Sequence, residues 1–227
     1  MQSFKLMRAL TYSTLDLAIS RQDNQPVANR FYKQNARAIA LGMILPGLRY
    51  TCDKPLLHYA TQVLLSQGAD VLQLWADYAN AEFKQLSETE QVVWVLEDAR
   101  SLLQTGQLQR KYQRLVLVGK SIGTLAMAML IAQDTALRQA TTIWLTPLLN
   151  LPFVANAFEI IEAPGLVAGG TGDSAFEPAV ANQLQKNDKI KTLVFEGANH
   201  SLEVPGNPID SIKILASVTD NITELLG

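Results

Sequence analysis

One pentapeptide near the middle of the chain, Gly119-Lys120-Ser121-Ile122-Gly123, constrains the fold more than any other feature. An apolar run (residues 115–118) precedes it, and a helix-like run (residues 124–131) follows it. A serine at a sharp turn between a strand and a helix has a strained backbone, and side chains two residues to either side would collide. Glycine at both positions removes that collision. The pattern therefore predicts a strand, a tight turn and a helix, with Ser121 at the turn.

Strand-like and helix-like segments alternate through most of the sequence. Residues 38–45 form a continuous apolar run that ends at Pro46-Gly47, which is typical of a strand buried on both faces. Ser87-Glu88-Thr89-Glu90 has the pattern of a capping box, and Asn207-Pro208 predicts the start of a terminal helix. Further strands are predicted at residues 71–75, 115–118, 141–145, 166–168 and 190–195, and further helices at residues 53–67, 122–132 and 177–185. This alternation predicts an α/β fold with a doubly wound, mostly parallel sheet and helices on both faces.

The N-terminal part of the chain has a different pattern. Residues 5–12, 15–20 and 27–33 mix apolar and polar side chains around a turn-rich break at residues 21–26, which predicts antiparallel edge strands. Two helix limits are predicted from single residues, with Asp53 as an N-cap and Gly106 as a C-terminal stop.

Length and composition predict one globular domain. A chain of 227 residues of which 48% are hydrophobic can bury a large core, and we expect residues 1–227 to form a single domain without a separate cap domain. The formal net charge of −2, from 19 basic and 21 acidic residues, argues against a nucleic-acid surface or a polybasic membrane anchor. The lone cysteine, Cys52, fits a reducing compartment. Because there is no evident signal peptide and no apolar run of about 18 residues, we expect a cytoplasmic protein, monomeric or homodimeric.

Three residues at predicted strand ends could cooperate in catalysis. Ligands of parallel sheets bind beyond the carboxyl ends of the strands, and a serine nucleophile needs a base that is oriented by a carboxylate. Of the two histidines, His58 lies inside a predicted helix, whereas His200 follows the last predicted strand. Asp173 follows another strand and lies between Ser121 and His200 in the chain, while its nearest competitor, Glu177, begins a predicted helix. The sequence therefore predicts a catalytic triad of Ser121, Asp173 and His200.

The predicted loop after the first central strand supplies candidates for an oxyanion hole and a pocket. An oxyanion hole needs two backbone N–H groups, and those of Ile122 and Leu48 are the candidates. Gly47 would allow the backbone to come close to a substrate, although a plain Pro-Gly turn explains it equally well. Tyr50 and Tyr78 lie near strand ends and are predicted to line the pocket.

Four segments together resemble the α/β-hydrolase superfamily, namely Leu45-Pro46-Gly47, Gly119-Lys120-Ser121-Ile122-Gly123, Gly169-Gly170-Thr171-Gly172-Asp173 and Gly197-Ala198-Asn199-His200-Ser201. They occur in the order that the family has, and the resemblance covers nearly all of the chain from Ala38 onward. A Gly-Lys-Ser-x-Gly nucleophile elbow with a Gly-x-x-His-Ser ending is similar to a small, lidless branch. That branch includes dienelactone-hydrolase-like proteins and the testis-expressed and chromatin-complex-associated α/β-hydrolase-like proteins.

The chain departs from the usual pattern of this family in two places, and it differs from dienelactone hydrolase itself in its nucleophile. The family often has His-Gly in the oxyanion loop, where this chain has Pro46-Gly47. Gly123-Thr124 replaces the glycine pair that often closes the elbow. Dienelactone hydrolase itself uses a cysteine nucleophile, whereas this chain has Ser121 at that position.

The resemblance implies a serine hydrolase that cleaves a small or short-acyl ester or thioester through an acyl-enzyme, with a small-molecule substrate and with no cofactor or metal. Two alternatives stay open: a non-catalytic binding or scaffold module with the same fold, and an acyltransferase that uses the same triad. The apolar segment 146–164 predicts a shallow cover over the site. Lys120 is expected to face solvent or a neighbouring carboxylate, and Cys52 to be an ordinary small packing residue.

Overall fold

One eight-stranded sheet forms the centre of this computed structural model, which describes residues 11–227. Its strands are β1 (Tyr12–Leu15), β2 (Asn29–Gln34), β3 (Ala40–Leu45), β4 (Asp70–Leu74), β5 (Arg114–Lys120), β6 (Thr141–Leu145), β7 (Gly165–Gly170) and β8 (Ile190–Phe195). Their order across the sheet is β1-β2-β4-β3-β5-β6-β7-β8. The β1–β2 and β2–β4 pairs are antiparallel, and every other pair is parallel. The predicted mostly parallel sheet with antiparallel N-terminal edge strands is therefore confirmed.

Helices cover both faces of this sheet. They are α1 (Pro55–Ser66), α2 (Ala81–Gln85), α3 (Glu88–Gln107), α4 (Ile122–Gln133), α5 (Pro152–Ile160), α6 (Pro178–Leu184) and α7 (Pro208–Leu226). Alternate residues of β5 point to opposite faces: Leu117 belongs to the apolar layer of α3, α4 and α5, whereas Val116 and Val118 belong to the layer of α1 and α7. The sheet is thus doubly wound, as predicted, and β5 is buried between two helical layers.

Two of the predicted helix starts are confirmed by their capping bonds. Ser87 Oγ accepts from the Glu90 N–H, and the Glu90 side chain accepts from the Ser87 N–H at 2.8 Å, which completes the capping box of α3. Asn207 caps α7 by accepting from the Asp210 N–H at 3.1 Å. The first residue of α7 is the proline that the sequence places after this cap.

Two of the predicted helix limits are wrong. Lys54, rather than Asp53, is the N-cap of α1, because the Asp53 carboxylate accepts a hydrogen bond from the Thr51 hydroxyl instead of a helix N–H. Gly106 lies inside the last turn of α3, which continues to Gln107. A Cβ atom at Gly106 would be 2.9 Å from Leu72 Cδ2, so this glycine allows α3 to approach the sheet rather than ending the helix.

The N-terminal strands are shorter than predicted. The predicted strand 5–12 lies mostly outside the described residues, and residues 15–20 are not a strand beyond Leu15. The Asn29 side chain accepts from the Leu17 N–H at 2.9 Å and donates to the Leu17 carbonyl at 2.8 Å. This amide occupies the backbone groups that a neighbouring strand would bind, so the ladder ends.

No helix within residues 11–227 is both long and apolar enough to cross a membrane.

Candidate active site

Ser121 lies at the turn between β5 and α4, with φ 55° and ψ −121°. A positive φ is unfavourable for a residue with a Cβ atom and persists only where the surroundings hold it. The Ser121 N–H donates to the Leu145 carbonyl at 3.2 Å, and its carbonyl accepts from the N–H and the hydroxyl of Thr124 at 2.8 and 2.6 Å. These bonds to β6 and to the first turn of α4 fix the strained serine.

The glycines on either side of Ser121 have the steric role that the sequence predicts. A Cβ atom at Gly123 would be 2.3 Å from the Leu45 carbonyl oxygen, and one at Gly119 would be 2.9 Å from the Gly123 carbonyl oxygen. Both neighbours are backbone atoms, which cannot move aside without a shift of β3 or α4. The turn therefore requires glycine at both positions.

The structure brings together the three residues of the predicted triad. His200 lies in the loop after β8, and its Nε2 atom is 2.7 Å from Ser121 Oγ. Its Nδ1 atom is 2.7 Å from Asp173 Oδ2, in the loop after β7. A Cβ atom at Gly170 would be 2.1 Å from the Ala198 carbonyl oxygen, so glycine at the end of β7 lets the two loops touch. The three side chains form one hydrogen-bonded chain from hydroxyl to carboxylate.

Hydrogen bonding keeps Asp173 ionised although it is buried. Burial raises the pKa of its carboxyl, but the hydrogen bonds from His200 and from the Ala175 N–H outweigh that effect and hold the pKa below its ordinary value of 3.8. Because an ionised carboxylate only accepts, the neutral imidazole of His200 carries its proton on Nδ1. Its Nε2 atom is then free to accept the proton of Ser121.

The base and the nucleophile of the predicted triad differ in their exposure to solvent. The His200 side chain is 40% exposed, whereas Ser121 is 9% exposed. Solvent therefore reaches the His200 side chain, while Ser121 lies almost buried beside it.

The loop that holds the predicted oxyanion donors lies directly against Ser121. It forms a tight turn in which the Gly47 N–H donates to the Tyr50 carbonyl at 3.0 Å. A Cβ atom at Gly47 would be 3.3 Å from Ser121 Cβ. Leu48 lies within this turn, and Ile122 is the first residue of α4, where an N–H has no partner inside the helix. The assignment of the Ile122 and Leu48 N–H groups to a substrate oxygen stays a prediction.

The two predicted pocket tyrosines have their hydroxyls bonded within the protein. Tyr50 is buried, and its hydroxyl accepts from the Leu56 N–H at 3.0 Å. Tyr78 is 2% exposed and donates to Asp98 Oδ2 at 3.1 Å. The structure therefore places the Tyr78 side chain in the core, where the sequence predicted a position lining the pocket. A position after a strand fixes the Cα atom but not the direction of the side chain.

Lys120 is a second residue whose side chain lies elsewhere than the sequence predicts. Its side chain is 1% exposed, so it faces neither solvent nor, within residues 11–227, an ion-pair partner. Lys120 Nζ donates to the His200 carbonyl at 2.6 Å and lies 4.9 Å from the centre of the Tyr50 ring. Burial lowers the pKa of its ammonium from 10.5 to about 7, against the opposing charge of Asp173. The available signal was its position directly after the apolar run of residues 115–118 and Gly119.

The part of the chain that the structure describes holds no cluster of metal-ligating side chains around Ser121. Within residues 11–227, no three His, Cys, Asp or Glu side chains converge as the ligands of a metal ion would. Cys52 is buried, and its thiol contacts the Leu74 carbonyl at 3.2 Å, which agrees with a packing role.

The sheet order, the helices on both faces and the serine turn after β5 together define the α/β-hydrolase fold. Solved structures with this fold superpose on nearly the whole chain. Est1E from Butyrivibrio proteoclasticus matches with a TM-score of 0.68 at 13% identity, over 92% of this chain and 96% of that one. The esterase Pf2001 from Pyrococcus furiosus matches with a TM-score of 0.67 at 15% identity, over 95% of this chain and 94% of that one.

A third solved structure, a serine hydrolase without a lid from Xanthomonas campestris, matches with a TM-score of 0.64 at 14% identity, over 96% of each chain. The resemblance that the sequence motifs indicate is thus confirmed at the level of the fold. No model of a protein family and no curated protein sequence matches the chain.

Proposed function

We propose that the protein is a serine hydrolase that cleaves a small or short-acyl ester or thioester through an acyl-enzyme on Ser121. The observation that carries this proposal is the hydrogen-bonded chain from Ser121 Oγ through His200 to Asp173, with 2.7 Å at each step. A base within hydrogen-bond reach of the nucleophile and oriented by a buried carboxylate is the arrangement that activates a serine hydroxyl. The esterases and serine hydrolases among the structural neighbours agree with this reaction class.

The reaction begins when His200 Nε2 takes the Ser121 proton while Oγ bonds to the acyl carbon and the carbonyl electron pair moves onto oxygen. The Ile122 and Leu48 N–H groups donate to that oxyanion. His200 then gives the proton to the leaving alcohol or thiol as its bond to carbon breaks, which leaves an acylated Ser121. His200 takes a proton from a water molecule as the water oxygen attacks the acyl carbon. His200 then returns this proton to Ser121 Oγ as the bond between Oγ and the acyl carbon breaks, which releases the acid and restores the serine.

Three observations favour a site without a separate cap domain, which is the basis for proposing a small acyl group. The His200 side chain beside the nucleophile is exposed to solvent. Segment 146–164 is short, and its helix α5 packs in the apolar layer of α4, with the Phe158 ring 4.6 Å from that of Trp144. We therefore propose that the chain acts as a single domain without a separate cap, and that this segment covers the site only at its margin.

The nucleophile can be tested with a fluorophosphonate probe, which forms a covalent adduct with an activated serine. We expect the adduct to map by mass spectrometry to Ser121, and labelling to disappear in His200→Ala. The matched control is Ser201→Ala, which removes a neighbouring serine outside the hydrogen-bonded chain and should leave labelling unchanged. An unlabelled wild-type protein that also fails to hydrolyse p-nitrophenyl acetate would contradict the proposal and favour a binding module.

The acyl group can be tested with p-nitrophenyl esters of increasing chain length, a short-acyl thioester and methyl ferulate. The last is included because Est1E has been solved with ferulic acid bound. We expect kcat/KM to be highest for acetyl or butyryl esters and to fall with longer chains. Transfer of the acyl group to an added alcohol in preference to water would identify an acyltransferase instead.

A further inference from the structure

The buried Lys120 side chain connects three parts of the candidate active site. Lys120 is the last residue of β5 and immediately precedes Ser121, and its Nζ donates to the His200 carbonyl at 2.6 Å. The Tyr50 ring lies 4.9 Å from Nζ, and a Cβ atom at Gly47 would be 3.1 Å from Lys120 Cδ. One side chain thus contacts both the loop of the base and the loop of the predicted oxyanion donors.

We infer that Lys120 is a positioning residue for the proposed hydrolysis, which holds the main chain of His200 where its imidazole reaches Ser121. The inference rests on the proposed function, because it assigns Lys120 to the geometry of that reaction. Lys120 acts through His200 and contacts no reacting atom.

The bonds of the His200 loop explain why this contact matters. Two hydrogen bonds join the His200 loop to the Asp173 loop. The Gly172 N–H donates to the Ala198 carbonyl at 3.0 Å, and the Gly197 N–H donates to Thr171 Oγ1 at 2.8 Å. On the side of the nucleophile, the bond from Lys120 joins the His200 main chain to β5. Since the imidazole must reach Asp173 and Ser121 at once, the loop has to be fixed on both sides.

Stability does not explain a lysine at this position. Taking an ammonium out of water without a carboxylate partner destabilises a fold relative to an apolar side chain of similar length. Within the described residues, the three N–H donors of Lys120 Nζ have the His200 carbonyl as an acceptor and the Tyr50 ring as an aromatic neighbour. The lowered pKa of its ammonium reflects the same unfavourable burial. The hydrogen bond from Lys120 Nζ to the His200 carbonyl is the compensating interaction that the geometry offers.

The test replaces Lys120 with methionine, which keeps an unbranched side chain as far as the Cε atom but has no donor. We expect kcat to fall about 10- to 100-fold, as for a charged hydrogen bond or a displacement of about 1 Å at a catalytic group, while KM stays within about twofold. The matched control is Lys54→Met, because exposed Lys54 also lies near the Tyr50 ring, at 5.5 Å, without a bond to His200. Lys54→Met should keep the wild-type kcat.

A second readout needs no substrate. The proton on His200 Nδ1, shared with Asp173, gives a downfield proton NMR signal, assigned by its absence in His200→Ala. We expect this signal to broaden in Lys120→Met and to stay sharp in Lys54→Met, because only the first change frees the His200 main chain. Lys120→Gln, whose amide is one bond too short to reach the carbonyl, serves as a second variant if the methionine protein does not fold, and the same losses are expected.

The two hypotheses fail in different ways. A wild-type protein that has the sharp signal but neither reacts with the fluorophosphonate nor hydrolyses esters contradicts the proposed function. Wild-type kcat together with an unchanged NMR signal in a folded Lys120→Met or Lys120→Gln protein overturns the inference about Lys120.

Discussion

Burial of the Lys120 ammonium predicts an unusual pH dependence of stability. The pKa falls from 10.5 to about 7 on folding, so above pH 7 the folded protein binds fewer protons at this site than the unfolded chain. Stability contributed by such a group rises with pH. The penalty is fully present below about pH 7 and disappears as the pH approaches 10.5. At about 1.4 kcal/mol for each pH unit between the two pKa values, the full penalty is about 5 kcal/mol.

Lys120→Met removes this titration and provides the measurement. The free energy of unfolding of the wild-type protein should increase by about 2 kcal/mol relative to Lys120→Met between pH 7 and pH 9. Urea unfolding at both pH values, followed by tryptophan fluorescence, gives the two differences. Changes in other groups, Asp173 included, largely cancel because both proteins share them.

An exposed lysine provides the control for this measurement. Lys189→Met removes an exposed lysine between α6 and β8 and should run parallel to the wild type across this pH range. If the difference between the wild type and Lys120→Met is the same at pH 7 and pH 9, the ammonium is not buried as the structure describes, and the argument from desolvation is wrong.

Substitutions at four other residues test further parts of the structure. Gly123→Ala should destabilise the protein by about 2–3 kcal/mol in urea unfolding and abolish labelling, because its Cβ atom would meet the Leu45 carbonyl. The free energy of unfolding, measured in urea, should be about 1 kcal/mol higher for Ser121→Gly than for Ser121→Ala, because glycine tolerates φ 55°. Asp173→Asn should lower kcat about 10³- to 10⁴-fold with the fold unchanged by circular dichroism. Burial raises the pKa of Asp98 to about 6, so as the pH rises from 4 to 6 the wild type should lose about 2 kcal/mol relative to Asp98→Asn, measured by urea unfolding at both pH values.

The backbone of the candidate site could be predicted because it depends on periodicity and strand order. The loops that carry Ser121, Asp173 and His200 follow β5, β7 and β8, and parallel strands end at the same edge of the sheet. Apolar runs and glycine positions are enough to find such loops. The limits of β1 and α1 were missed because one side chain decides each of them: Asn29 bonds the Leu17 backbone, and Asp53 bonds Thr51. Such local competition leaves little trace in a hydrophobic pattern.

Lys120 could not be placed by composition because its transfer free energy favours water, and lysine is almost never fully buried unless it has a partner. Here the partner is a backbone carbonyl 80 residues away in the chain, so no local pattern contains it. The position of Lys120 in the sheet nevertheless indicates where its charge must lie. Lysine at the end of a strand covered on both faces must extend its four-carbon stem to the edge of the sheet, where the neighbouring loops offer acceptors. Here the serine turn begins at the next residue, so the neighbouring loops are the ones that carry the base and the predicted oxyanion donors. The position therefore links the charge to the site even before the acceptor is known.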